Sequence, residues 1–431
     1  MHWHLTFILI DIDMSRLEEI KGSSWYKWVV VALLSFVALL NYLDRQVLST
    51  MKEAMSLDIT ELQDPRYFGW LMAIFLWIYG LVSPFAGAIA DRISRKWLIV
   101  GSLGVWSAVT LAMGFVEDFH VMLGLRAFMG VSEALYIPAG LALITEYHQG
   151  KTRSLAVGLH MTGLYLGQAL GGYGAKIAGT TSWHNLFIVL GGIGVTYAVV
   201  LAFLLMDKRA IPARSNTKTS VPVVKSLGYL FRTPAFWVLL FVFAVPSLPG
   251  WATKNWLPTL FSENLGMSMK EAGPLATISI AASSFVGVLC GGILSDRWSS
   301  KNLRGRVYTS AIGLALTIPS LVLIGLGHTV VALFGAAFMF GVGFGLFDAN
   351  NMPILCQFVP DNLRSTAYGF MNMMGVFSGA IITSVLGNFT AGGNLGMAFS
   401  ALGGIVLVAL LLQLLFLRPK HIDMKAEEFF K

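Results

Sequence analysis

Twelve apolar runs of about 20 residues follow one another along this 431-residue chain, and that succession leaves little choice of fold. They lie at roughly 28–50, 67–90, 97–116, 119–146, 153–178, 184–206, 234–260, 271–295, 306–327, 329–358, 364–388 and 393–417. As helix, each is long enough to cross about 30 Å of hydrocarbon. A soluble helical protein would give its helices polar faces, which these runs lack. Charged residues make up 12% of the chain, against about 25% in an average soluble domain. The expected class is an all-α integral membrane protein with twelve transmembrane helices.

A net charge of +7 would suit a nucleic-acid partner, but its placement does not. With the N-terminus inside, the inner loops carry Arg92, Arg95, Lys96, Lys151, Arg153, the cations from Lys208 to Arg232, those from Arg297 to Arg306, and Arg364. The outer loops carry only Lys52, Arg66 and Lys270. This positive-inside bias places both termini in the cytoplasm and reads as orientation in a bilayer, not as a polyanion site. Cys290 and Cys356 lie in apolar surroundings and give neither a disulfide framework nor a metal spacing. The run Leu5 to Ile10 is too short for a signal core, and residues 1–13 are expected to lie outside the working protein.

The two halves echo each other. Gly87-Ala-Ile-Ala-Asp91-Arg92-Ile-Ser94-Arg95-Lys96 follows the second run, and Gly292-Ile-Leu-Ser-Asp296-Arg297-Trp-Ser299-Ser-Lys301 follows the eighth. Arg153-Ser-Leu-Ala-Val-Gly158 has its counterpart in Arg364-Ser-Thr-Ala-Tyr-Gly369. Repeats in the same order and topological place imply two pseudo-symmetric six-helix bundles with a site between them. The expected organisation is a tail over 1–27, a bundle over 28–206, a polar linker over 207–233, a second bundle over 234–417 and a tail over 418–431. In the repeated signature Gly87 admits a close helix neighbour. Asp91 suits a helix N-terminus. Arg92, Arg95, Asp296 and Arg297 are placed to pair across an inner gate in one state and part in the other. The signature, its copy and the twelve spans resemble the major facilitator superfamily across essentially the whole chain. Ser94 stands where that family usually has glycine.

Four charges lie inside the spans: Asp44 and Arg45 in the first, Arg126 and Glu133 in the fourth. An ionisable group at mid-membrane costs roughly 2.5–3.5 kcal/mol on insertion scales, so it is kept where it faces a polar cavity or a partner. Glu133 is two turns from Arg126 on one helix face, and Pro138 bends that helix. A guanidinium stays charged and matches a carboxylate in bidentate geometry. A carboxylate beside it titrates according to whether that arginine is engaged. An incoming anion that competes for the arginine thus couples anion to proton. The competing reading is a structural pair, Asp44 with Arg126 or Arg45 with Glu133, that only pins the two spans.

Asn41-Tyr42-Leu43-Asp44-Arg45, the stretch from Arg126 through Gly130 and Glu133-Ala134 to Pro138-Ala139, and Trp256-Leu-Pro258 with Gly266-Met-Ser268 resemble the anion:cation symporter family. The resemblance implies proton-coupled uptake of a carboxylate-bearing small molecule, a sugar acid foremost. It places the substrate anion on Arg45 and Arg126 and protons on Asp44 and Glu133. Spinster-type lipid transporters share the Asp-Arg and Arg…Glu elements. A lipid or drug/proton exporter of the same fold, or a non-transporting ligand sensor, is therefore the alternative.

Tyr42, Tyr79, Gln168, Asn350 and Asn372 are candidate hydroxyl binders, with Tyr165 beside them. Asp348, Asn350 and Asn351 crowd the tenth span, and Lys254 in the seventh either adds a third cation to the site or, as the favoured expectation, snorkels outward. No Gly-x4-Gly-Lys-Ser/Thr loop is present, so ATP is not the expected driver. No enzyme motif stands out, and no cofactor or metal is expected. The expectation is a monomer in the plasma (inner) membrane, driven by the proton gradient, whose partners are a small organic anion, protons and the bilayer, with no nucleic acid.

Overall fold

A computed structural model describes residues 23, 25–90, 93–148, 152–207, 228, 230–360, 363–421 and 424. Most of the expected tails and of the linker lie outside the described residues, as do Asp91 and Arg92. The first six long helices are α1 (Tyr26–Leu48), α2 (Pro65–Ala90), α3 (Arg95–Met113), α4 (Phe119–Ala134, resumed as Tyr136–Tyr147), α5 (Arg153–Gly171) and α6 (Trp183–Leu204). The second six are α7 (Pro234–Leu265), α8 (Met269–Ser299), α9 (Gly305–Leu326), α10 (Val330–Asp348, resumed as Asn351–Phe358), α11 (Arg364–Ala391) and α12 (Leu395–Phe416). Among the described residues, eleven helical stretches are long and apolar enough to cross a membrane, and α5 packs among them as the twelfth.

The first proline break confirms that local chemistry sets the helix ends. Pro138 lacks the N–H that would bond the Ala134 carbonyl, and α4 is interrupted beside it, at Leu135. Pro353 stands in the same relation to Ala349, where α10 is interrupted. Each was expected as a single span, the fourth with a bend at Pro138. The two breaks lie 215 residues apart and extend the repeat to α4 and α10.

Close packing rests on glycine. Gly163, Gly167 and Gly171 line one face of α5 at four-residue intervals. A Cβ on Gly163 would lie 2.1 Å from the Ser35 carbonyl oxygen, and one on Gly167 2.2 Å from that of Leu39. Only hydrogen fits there, so α1 and α5 lie backbone to backbone.

Between the bundles, α2 packs on α11 and α5 on α8. At the end opposite the termini these contacts are tight. A Cβ on Gly172, just past α5, would meet the Gly273 carbonyl oxygen of α8 at 2.8 Å, and one on Gly69 of α2 would meet the Thr383 carbonyl oxygen of α11 at 3.1 Å. Toward the end that carries the termini α2 and α11 stay in contact, an added Cβ on Gly369 lying 3.6 Å from Pro84 Cα, whereas α5 and α8 do not meet at their glycines. Gly158 of α5 and Gly292 of α8 have nothing within 4 Å of an added Cβ. The contact between the bundles is thus closest at the end opposite the termini.

Candidate functional site: a cavity between the bundles

A cavity of about 250 Å³ lies between the bundles, and helical spacing selects its lining. Ser247, Gly250, Trp251 and Lys254 come from one face of α7, and Phe340, Phe344 and Asp348 from one face of α10. Tyr368, Asn372 and Val376 come from α11, and Leu164, Tyr165 and Gln168 from α5. Tyr42 of α1, Tyr79 of α2 and Ser284 of α8 complete the wall. Of the candidate hydroxyl binders, Tyr42, Tyr79, Gln168 and Asn372 thus meet here. Asn372 also reaches Ser83 of α2, Nδ2 to Oγ at 3.4 Å. Asn350 does not line the cavity. Beside the α10 break, it is fully buried and its Nδ2 donates to the Leu346 carbonyl, 2.8 Å away.

Asp44, Arg45, Arg126 and Glu133 converge, but behind this wall. Arg45 Nε contacts Glu133 Oε2 at 2.6 Å, and Asn41 Nδ2 donates to the same oxygen at 2.9 Å. Asp44 Oδ2 accepts from Thr110 Oγ1 at 3.3 Å and makes no bond to Arg126. Arg126 donates to Met129 Sδ at 3.1 Å, and its Nε has no partner. Of the two pairings expected from sequence, only Arg45 with Glu133 forms. Aromatic rings stand between these cations and the cavity. The Arg45 guanidinium carbon lies 5.3 Å from the Tyr42 ring centroid, 4.9 Å from that of Tyr79 and 4.8 Å from that of Phe75. The Phe75 ring lies as close to Arg126, at 4.8 Å. An anion in the cavity would meet tyrosine first.

The cation that does face the cavity is Lys254. The expectation that it snorkels outward is wrong. Its Nζ rests 4.8 Å from the Trp251 ring centroid and 5.7 Å from that of Tyr42, and among the described residues it joins no ion pair. Its backbone carbonyl accepts from Gln46 Nε2 of α1 at 2.8 Å, which ties the bundles together one residue from Arg45. Asp348 faces the same space with an exposed carboxylate, near enough for its charge to interact with that of Lys254. Sequence reasoning kept a third cation only as the lesser alternative for Lys254 and gave Asp348 no separate role. The signal available was the spacing of Ser247, Trp251 and Lys254 on one helix face.

The described gate residues Arg95 and Asp296 have partners within their own bundles. Arg95 pairs with Glu146 of α4, within its own bundle. Asp296 lies 4.0 Å from Arg306, also within its bundle, and Arg297 is exposed. Gly87 ends the described part of α2 near Ala90. The start of α3 is capped by Asp207. This carboxylate accepts from Ser94 Oγ and from the Lys96 N–H at 2.9 Å. Ser94 in turn accepts from the Trp97 N–H at 3.3 Å, so the serine has a capping task that glycine would not perform.

Two bundles of long apolar helices around a central polar cavity describe a transporter fold. Its sequence profile decides the matter, for that of the Major Facilitator Superfamily matches residues 34–383. The chain belongs to the Major Facilitator Superfamily. As a superfamily member it is a multi-pass membrane transporter by kinship, and its relatives are transporters. It is 25% identical to the probable galactarate/D-glucarate transporter GudP of Escherichia coli (strain K12), covering 92% of this chain and 95% of that one. To a D-galactonate transporter of Escherichia coli O6:H1 it is 24% identical, covering 89% and 94%. Protein spinster homolog 1 of Bos taurus is 31% identical over 52% of this chain and 44% of its own length. Among solved structures, a bacterial homologue of the human lysosomal transporter Spinster, in an inward-facing and occupied conformation, superposes with a TM-score of 0.75 at 19% identity. It covers 91% of this chain and 97% of that one, a likeness of fold.

Proposed function

We propose that this chain is an alternating-access symporter that takes up a small hydroxylated organic anion, a sugar acid by preference, together with protons. It would sit as a monomer in the plasma (inner) membrane with both termini in the cytoplasm, drawing on the proton gradient and needing no cofactor. The end where the bundles are most closely packed would then face outward. The observation that carries this reading is Lys254, an ammonium that joins no ion pair among the described residues and faces a cavity it shares with the Asp348 carboxylate and with amide, hydroxyl, aliphatic and aromatic side chains. A carboxylate suits the ammonium, sugar hydroxyls suit Gln168, Asn372, Ser247 and Ser284, and a sugar body suits Trp251 and Tyr42. Behind them, Glu133 Oε1 and Asp44 Oδ1 are buried without hydrogen-bond partners. Each is a place for a proton, since a buried carboxylate oxygen without a donor is costly while charged. The full-length relatives named for galactarate, glucarate and galactonate support the same substrate class.

The lipid-exporter alternative draws on the spinster relatives. The cavity volume, about 250 Å³, argues against it. Organic-ligand pockets usually run to roughly 300–1,000 Å³, and this one suits a compact solute. The test is a thermal-shift screen of purified protein against D-galactonate, D-glucarate, glucuronate and a lysophospholipid, followed by uptake into proteoliposomes under an imposed pH gradient. Stabilisation by a sugar acid and its accumulation against a gradient support the reading. Stabilisation by the lysophospholipid alone moves the assignment to lipid export, and binding without accumulation moves it to a sensor.

A further inference from the structure

The repeat places a second charge couple opposite the first. Glu133 and Asp348 lie 215 residues apart, the same offset as Pro138 and Pro353, so each acid stands five residues before the proline that breaks its helix. Each accepts from an asparagine amide, Glu133 from Asn41 and Asp348 from Asn351, the latter at 3.1 Å. Each faces a cation on the first helix of its bundle, Arg45 on α1 and Lys254 on α7. The difference is in their state. Arg45 and Glu133 are closed on each other at 2.6 Å behind the tyrosine wall. Lys254 and Asp348 face the cavity with no ion pair between them.

Resting on the symport reading above, we propose that Lys254 and Asp348 are the second bundle's ion couple, in which Lys254 receives the substrate carboxylate and Asp348 takes up a proton as it does so. When a carboxylate engages the ammonium, Asp348 loses the charge that favoured its ionised form. A proton on Asp348 restores neutrality, and no bond other than that O–H is made. The groups that face Asp348 are Lys254 of α7, Tyr165 of α5, Tyr368 of α11 and the Asn351 amide. On α8, Ser284 lines the same cavity, and the charged residues Lys270, Glu271, Asp296 and Arg297 sit near that helix's ends. On α9, Arg306 is turned to the Pro353 carbonyl, its Nη1 3.4 Å away. Of these groups, only Lys254 carries a charge that a substrate anion would neutralise.

Two measurements test this. In the first, D-galactonate affinity is followed from pH 5 to 8 for the parent and for Asp348→Asn. The dissociation constant of the parent should rise with pH, by up to about tenfold per unit while one proton is taken up on binding. In Asp348→Asn that rise should lose up to one tenfold factor per unit. A variant that keeps the parent slope overturns the proposal. The second needs no substrate. The carboxylic-acid infrared band that Asp348→Asn removes is titrated in the parent and in Lys254→Gln. The band should persist to a pH about one unit higher or more once the cation is gone. The same titration in both proteins overturns the couple. If this shift appears while no sugar acid binds, the charge couple stands and the substrate assignment is what fails.

Discussion

Replacing Lys254 by glutamine removes the positive charge from the cavity and little else. The side chain makes no hydrogen bond and no ion pair among the described residues, and it rests only against the Trp251 and Tyr42 rings. Such ring contacts contribute about 0.5–1 kcal/mol where water reaches them, so the fold should survive. Binding should not. A hydrogen bond to a charged partner contributes about 1.5–3 kcal/mol. At about 1.4 kcal/mol per tenfold, its loss weakens a carboxylate ligand by roughly 10- to 150-fold. Calorimetric titration of D-galactonate into purified parent, Lys254→Gln and Lys254→Arg is the assay. Arginine should retain part of the affinity, since charge persists while geometry changes. An affinity for Lys254→Gln within twofold of the parent would refute the idea that this ammonium holds the carboxylate.

Three further substitutions probe the rest of the machine. Glu133→Gln should bind substrate within a few fold of the parent yet lose accumulation driven by an acid-outside gradient. Undiminished accumulation in proteoliposomes would remove Glu133 from the proton path. Gly172→Val should abolish uptake, because a Cβ there already lies 2.8 Å from the Gly273 carbonyl oxygen, whereas Gly158→Val, with nothing within 4 Å, should be tolerated in the conformation described. Equal uptake by the two would contradict the functional weight of that close contact. Asp207→Ala should cost about 1 kcal/mol, the usual loss for a helix cap, read as a small fall in melting temperature that Ser94→Ala reproduces in part.

The spans were legible because about 20 apolar residues in a row can satisfy their backbone in lipid only as helix. The charged quartet was legible as a convergence, since four mid-span charges must find partners. Its depth was not. Residue spacing puts Arg45 and Glu133 on facing helices but cannot say that Tyr42, Tyr79 and Phe75 cover them. The breaks in α4 and α10 follow the proline rule, yet α7 carries Pro246, Pro249 and Pro258 and stays continuous, so proline alone does not locate a break. Lys254 was misread for a related reason. α7 is apolar nearly all round, so the spacing of Ser247, Trp251 and Lys254 was a faint sign of which face turns to the cavity. Only packing against α11 and α8 sets that rotation.

The two charge couples also bear on what energy source the proposed symport can use. Asp44, Arg45, Arg126, Glu133, Lys254 and Asp348 are the charges of the central spans, three of each sign, so the ligand-free centre is neutral when all are ionised. A monoanion that enters with one proton leaves it neutral, and the pH gradient alone acts on the step. A second proton adds one positive charge to the moving unit, and the membrane potential then contributes about 2.3 kcal/mol per 100 mV. The geometry separates the two acids by access: Asp348 lies open to the cavity, while Glu133 is fully buried behind a closed pair. On the proposed reading the proton on Asp348 accompanies the substrate carboxylate. The proton on Glu133 then requires the Arg45 pair to open, a separate event on which a dicarboxylate such as an aldarate would depend more than a monocarboxylate.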